Sequence, residues 1–225
     1  MNVLAIETAT PACATALRTN EGEELVLVVD DERHHTEALT PGIRDLLVRA
    51  DITPKAIDRV VVDRGPGLFT GLRVGIATAI GFAQGASADL VGVTSLELLA
   101  HGARRAGVHG NLVSVVDGRR GEVFVQTFNL ADELTTVGEA KVALPQSVVE
   151  EWSERGAVTF TGDGVIRYED LFTSLVAATV FEQRVPPVLE ALHVGAQRRA
   201  ESQIVPLYLR EADAVANFTT RERSQ

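Results

Sequence analysis

The chain has 225 residues, 45% of them apolar, and a formal net charge of −10, which allows one large domain or two small lobes around a real core. That charge repels nucleic acid, so RNA binding by this chain alone would require a local basic patch. A single cysteine excludes an internal disulfide, no stretch approaches the ~18 uninterrupted apolar residues of a membrane span, and no basic-then-apolar leader opens the chain, so the cytoplasm is the expected compartment.

The first three apolar runs, VLAIET, CATALRT and ELVLVVDD, are separated by turn residues and predict an antiparallel meander. Cys13, between Ala12 and Ala14, reads as a small core thiol. Residues 35–50 place Leu39, Ile43, Leu46, Leu47 and Ala50 on one helical face, with Thr36 as the expected N-cap. RVVVD at 59–63 is a short strand suited to burial on both faces. A helix over 70–84, the strand LVGV at 90–93 and the helical SLELLAHGARR complete a first unit, residues 1–105.

The pattern then restarts in a second unit, residues 106–225. LVSVVD at 112–117 and EVFVQTF repeat the meander, with Asp117 standing where Glu7 stood. A helix through Val148 to Trp152, the strand AVTFTG and the turn Gly162-Asp163-Gly164 follow. A helix over 187–200, with Val188, Leu189, Leu192 and Ala196 on one stripe, is expected to pack back on the first lobe. IVPLYLR reads as extended and VANFTTRERSQ as a weakly held tail. The arginine pairs Arg104-Arg105, Arg119-Arg120 and Arg198-Arg199 are scattered and read as solvated faces rather than a phosphate track.

The richest stretch is VVDRGPGLFTGLRVGIATAIGFAQG, where a strand delivers the backbone to Gly65-Pro66-Gly67 and then to a helix. Gly65 and Gly67 before a helix N-terminus are candidate nucleotide-binding residues, because free amides there attract phosphate. The spacing matches neither GxGxxG nor GxxxxGK[ST], so a tight turn using glycine at positive φ stands beside the phosphate reading. Gly71, Gly75, Ala79 and Ala83 recur every four residues along the helix. Gly75 and Gly81 together cost about 2 kcal/mol of helix stability. Close backbone approach is the compensation, either to the chain's own sheet or to a partner helix.

Catalytic patterns are missing from the sequence. His34 and His35 are adjacent rather than four apart, and His101, His109 and His193 are isolated, so no helical metal pair exists. There is no GxSxG elbow. Glu7 and Asp117, acids ending equivalent strands, read either as strand-end caps or as water-mediated Mg²⁺ holders.

Taken in order, LAIETATPACATAL, HHTEALTPGI, GPGLFTGLRVGIATAIGFAQG, VTSLELLA, VVDGRRGEVF and PLYLREADA resemble the TsaB (YeaZ) family over most of the chain. That resemblance implies an α/β, two-lobed actin-like, sugar-kinase and chaperone-ATPase (ASKHA) fold, each lobe a mixed sheet with flanking helices. It also implies a non-catalytic subunit without cofactor, which pairs with and activates TsaD. TsaD transfers a threonylcarbamoyl group to the adenosine beside the tRNA anticodon, and the TsaE ATPase joins a larger complex. The two metal-binding histidines of TsaD correspond here to Ser95 and Leu99. The family's four-helix contact would use helices 35–50 and 70–85, with Leu39, Ile43, Leu47, Thr70, Gly71, Gly75, Ala79 and Ala83 as interface candidates. A homodimer through the same surface is expected without TsaD, and tRNA contact is expected to be indirect. The alternative function is an ATP-dependent phosphotransferase or ATPase of the same superfamily.

Overall fold

The computed structural model describes residues 1–29 and 35–210, with the side chains of residues 35 and 36 outside that description. The expected Thr36 cap, the His34-His35 pair and the tail beyond residue 210 therefore lie outside the described residues. In chain order the elements are β1 (Val3–Glu7), β2 (Cys13–Arg18), β3 (Glu24–Val29), α1 (His35–Arg49), β4 (Arg59–Asp63), α2 (Phe69–Ala86), β5 (Asp89–Val93) and α3 (Ser95–Arg105). They continue with β6 (Asn111–Arg119), β7 (Glu122–Leu130), β8 (Leu134–Ala143), α4 (Pro145–Ser153), β9 (Val158–Thr161), α5 (Asp163–Arg167), α6 (Glu169–Thr173), β10 (Ala178–Phe181) and α7 (Val188–Gln197).

The two five-stranded sheets are ordered β3-β2-β1-β4-β5 and β10-β9-β6-β7-β8. Read from opposite edges, these are one order. In each, a hairpin meander is antiparallel and the last two strands join parallel: β1 beside β4 and β4 beside β5, then β6 beside β9 and β9 beside β10. This duplicated mixed sheet with flanking helices is the actin-like, sugar-kinase and chaperone-ATPase fold.

Hydrophobic patterning explains the layers. Helices α1 and α2 cover one face of the first sheet through Leu39, Ile43, Leu46, Ile76, Ala79 and Ala83 against Leu4, Ile6, Val60 and Val62. On the other face, Val188, Ala191 and Leu192 of α7 meet Val3, Ala5, Val61 and Val91. The close crossing uses Gly195, where a Cβ would lie under 3.0 Å from the methyls of Val61. Leu96, Leu99, Ala100 and Ala103 of α3 face the second sheet at Leu112, Val116, Phe124 and Phe128, and α4, α5 and α6 close its far side around Trp152, Phe160 and Phe172. Helices α3 and α7 are thus inserted between the sheets.

Strands β8 and β10 and helix α6 were not expected from the sequence. Strand β8 is an edge strand, mostly exposed, so it carries little period-two apolar signal. The IVPLYLR segment forms no strand with either sheet; it runs along the first lobe, with Ile204 in the core. The arginine pairs are not a basic track: Arg105 meets Glu190, Arg119 meets Asp117 and Arg198 meets Glu97.

Candidate functional site

The parallel register Ile6 to Val62 brings Glu7 and Asp63 side by side at the ends of β1 and β4, and both are fully buried. Glu7 Oε1 accepts from the amides of Ala9 at 2.7 Å and Thr10 at 3.1 Å, which closes the β1–β2 turn. Asp63 Oδ1 accepts from the Gly65 amide at 2.7 Å and from Ser95 Oγ at 3.0 Å, while Asp63 Oδ2 has no partner. Burial, then the charge of Asp63, raises Glu7 well above the usual carboxylate range. Burial pushes Asp63 up to about 7. Burial of both acids, and the repulsion of Glu7 by Asp63, oppose ionisation of the pair, so it holds a proton to higher pH than carboxyls do in water. Cys13 lies in the core, its thiol pushed up to about 11 by burial and then by Glu7.

The glycine loop is bound to this cluster through the Gly65 amide, which gives its glycines a packing role beside the nucleotide-binding reading of Gly65 and Gly67. Gly65, at φ +101°, donates its amide to Asp63, and a Cβ there would meet Leu72. A Cβ on Gly67 would lie under 3.0 Å from the Ala9 carbonyl, whose oxygen accepts the Leu68 amide at 2.6 Å. Glycine here serves close approach between two loops, the tight-turn alternative.

Glu7 and Asp117 have different surroundings. Glu7 is sealed from solvent. Asp117 borders a cavity of about 420 Å³ between the lobes, lined by Pro11, Ala12, Arg119, Asp163, Arg167 and Arg184. Asp117 Oδ2 faces Arg119 at 3.3 Å and Arg167 at 3.6 Å. Asp163 accepts the Asp117 amide at 2.9 Å, and burial pushes its carboxyl up to about 6. Asp163, Arg167 and Arg184 were not foreseen as cavity residues, because they become neighbours only through the fold.

The third candidate surface is the helix pair. Gly71, Gly75, Ala79 and Ala83 are buried on the sheet side of α2, and a Cβ at Gly75 would lie under 3.0 Å from Thr8 Oγ1. Thr8 Oγ1 itself donates to the Gly71 carbonyl at 2.8 Å. Leu39, Ile43 and Leu47 likewise belong to the lobe's own core. The small-residue row therefore lies where sheet and helix approach each other, beneath the surface on which the resemblance sets a partner helix. Thr70 is exposed, as an interface residue requires.

The outward face of α2 carries a second row at the same spacing: Phe69, Arg73, Ala77, Gly81 and Gly85, all exposed. At Gly81 and Gly85 no atom lies within 4 Å of where a Cβ would stand. Beside this row an apolar trough of about 440 Å³ runs between α1 and α2, lined by Val48, Ile52, Phe82 and Gly81 and edged by Ile43 and Leu47. Val48 is 70% exposed.

The family described as TsaD: tRNA N6-adenosine threonylcarbamoyltransferase matches residues 29–214. The tRNA threonylcarbamoyladenosine biosynthesis protein TsaB of Escherichia coli is 31% identical over 93% of this chain and 95% of its own length. The chain belongs to the TsaB (YeaZ) family. TsaB of Bacillus subtilis is 25% identical over 99% of this chain and 100% of its own. A crystal structure from Pseudomonas aeruginosa, described as an uncharacterized protein with similarity to peptidase YEAZ, superposes with a TM-score of 0.80 at 28% identity, covering 93% of this chain and 99% of that one.

Ser95 and Leu99, the positions that the resemblance sets against the histidines of TsaD, are both fully buried. Ser95 Oγ bridges Asp63 Oδ1 and the Pro66 carbonyl, and Leu99 sits in the core under the second sheet. Neither supplies an imidazole. Among the described residues no three His, Cys, Asp or Glu side chains group as metal ligands, and no helix is long and apolar enough to cross a membrane.

Proposed function

We propose that this chain is a non-catalytic partner subunit of the tRNA threonylcarbamoyladenosine machinery, which docks TsaD through the outward faces of α1 and α2 and activates it for modification of the adenosine beside the anticodon. The observation that carries the reading is the open apolar trough between those helices, with Val48 70% exposed at its rim. An apolar groove flanked by small residues suits a helix laid along it, and close approach is possible only where side chains are absent. Gly81 and Gly85 take the role expected of Gly71, Gly75, Ala79 and Ala83, which support α2 from beneath. Ile43 and Leu47 edge the trough while belonging to the core, and Thr70 is exposed in the first turn of α2. Ser95 and Leu99 in place of a histidine pair support the non-catalytic half of the reading. TsaE joins as the ATPase of a larger complex, tRNA is held by the assembly, and a second copy of this chain occupies the trough when TsaD is absent.

The test is affinity for TsaD measured by biolayer interferometry, with tRNA modification in the presence of TsaE as a second readout. Gly81→Leu should abolish both while the isolated chain melts no lower than the wild type does. Unchanged affinity would reject the docking face.

A second reading, an ATP-dependent phosphotransferase or ATPase, is favoured by one observation: Arg119, Arg167 and Arg184 line the cavity between the lobes. Calorimetry of the isolated chain with Mg-ATP separates the two. Heat of binding together with hydrolysis supports the enzyme, and absence of both removes it.

A further inference from the structure

We infer that the partner face continues beyond α2 onto the C-terminal segment, where Phe69, Arg73 and Tyr208 form a platform that receives a carboxylate-bearing stretch of the same protein partner. This rests on the reading of α1 and α2 as the docking face.

Three observations on three structural levels point there. The first is continuity. Phe69 and Arg73 are the first two residues of the exposed row that runs on through Ala77, Gly81 and Gly85, so a helix lying along the small residues meets the platform at the row's other end.

The second is the arrangement of the rings. Phe69 and Tyr208 stack with centroids 5.0 Å apart, and the Arg73 guanidinium lies 3.7 Å over the Phe69 ring. Yet Phe69 is 37% and Tyr208 42% exposed. Stacked aromatic and arginine side chains that remain open to water have the composition of an interface hot spot, where a partner's arrival completes their burial. Arg73 Nε reaches Tyr208 Oη at 3.4 Å, and among the described residues no carboxylate faces the guanidinium. Among the described residues its other N–H groups meet no acceptor, and a carboxylate matches that fork.

The third is rigidity of the segment that presents Tyr208. Arg198 pairs with both oxygens of Glu97 at 2.9 and 2.8 Å, the Glu201 amide donates to Leu90 O at 2.7 Å, and the Leu207 amide donates to Arg64 O at 2.7 Å. Two residues past the tyrosine, Arg210 grips Glu122 at 2.8 Å and the Gly118 carbonyl at 3.1 Å on the second lobe. Tyr208 is therefore held from both sides, so little ordering entropy remains to be lost on contact. A protein partner is favoured over RNA because the chain carries a net charge of −10 and the nearby cation Arg64 is already paired with Glu201.

The experiment uses the full chain with TsaD. Tyr208→Ala and Arg73→Glu should each raise Kd by about tenfold or more, Tyr208→Phe should stay within about twofold, and all three should melt as the wild type does. Added salt should weaken the wild-type complex more than the Arg73→Glu complex. Gly81→Leu runs in parallel as the test of the docking face. If it abolishes binding while the Tyr208 and Arg73 variants bind as the wild type does, the platform lies outside the interface and this inference fails alone. If Gly81→Leu also binds normally, the docking reading itself falls. If Tyr208→Ala keeps its affinity for TsaD but loosens the assembled complex's hold on tRNA, the platform serves RNA and the inference is overturned.

Discussion

Replacing Gly75 and Gly81 separately by alanine should move stability in opposite directions, although the two residues lie six positions apart on one helix. Alanine in a helix interior is favoured over glycine by about 1 kcal/mol. At Gly81 that gain meets no opposition, because no atom lies within 4 Å of the new Cβ; for a domain of this size about 1 kcal/mol raises Tm by about 2–4 °C. At Gly75 the Cβ falls under 3.0 Å from Thr8 Oγ1, with Thr8 Cβ at 3.5 Å and Ile6 Cγ2 at 3.7 Å behind it. Thr8 cannot turn away freely, since its hydroxyl is buried and donates to the Gly71 carbonyl at 2.8 Å. Overpacking costs about 1–3 kcal/mol, and displacing the buried hydroxyl about 1–3 kcal/mol more. Gly75→Ala should therefore lose about 1–5 kcal/mol net once the helix gain is counted. Calorimetry and urea melts of both variants measure this directly. Equal stabilisation by the two would show that the inner row does not mark a close approach, and with it the assignment of the two faces of α2 would fail.

The acid pair gives a pH dependence of definite sign. Glu7 and Asp63 ionise less readily in the fold than in the unfolded chain, so the native state holds the extra proton and stability falls as pH rises from the ordinary carboxylate range through about 7. Asp63→Asn, which removes one of the two buried acids, should reduce that slope and gain on the wild type by a few kcal/mol between about pH 5 and pH 8 in urea melts. A wild type that becomes more stable across this window would refute the account. Arg59 donates from Nη1 to the carbonyls of Gly195, Ala196 and Arg198 at the C-terminal end of α7. Arg59→Met should cost about 2–3 kcal/mol, with hydrogen-exchange protection lost first in α7; uniform loss across both sheets would contradict a local clasp.

Most of the fold is legible because its signals are local. The meander strands, RVVVD and the stripes of α1 and α2 each follow from residue periodicity, and the restart at LVSVVD reveals the duplication. The strands β8 and β10 escape because one is a polar edge strand and the other only four residues long. The site is less legible for a different reason. Spacing of four residues identifies a row of small side chains but not which way it faces, and α2 carries two such rows. The burial of Leu72 and Ile76 beside Gly71 and Gly75 settles the inner one; the outer row, beginning at Phe69, shares that period and was readable only as glycines nearby. Tyr208 and Arg184 reach their surfaces through contacts more than a hundred residues distant in sequence, which no local pattern encodes.

The duplicated topology also shows how a cleft loop becomes a brace. Glu7 and Asp117 end equivalent strands, but only Asp117 still borders the cavity between the lobes. At the first strand end, Glu7 takes the turn amides, Leu68 is tied to Ala9, and Asp63 with Ser95 holds the loop that starts α2. These contacts take up the Gly65 and Leu68 amides, and they fix the start of the helix whose outer row is open to solvent. Closing the loop and steadying the helix are one physical event: the buried acids that hold the turn also anchor the first turn of α2, on whose other side the exposed row lies. Variants that loosen Ser95 or Gly67 should therefore weaken docking of TsaD without touching any residue on the docking face.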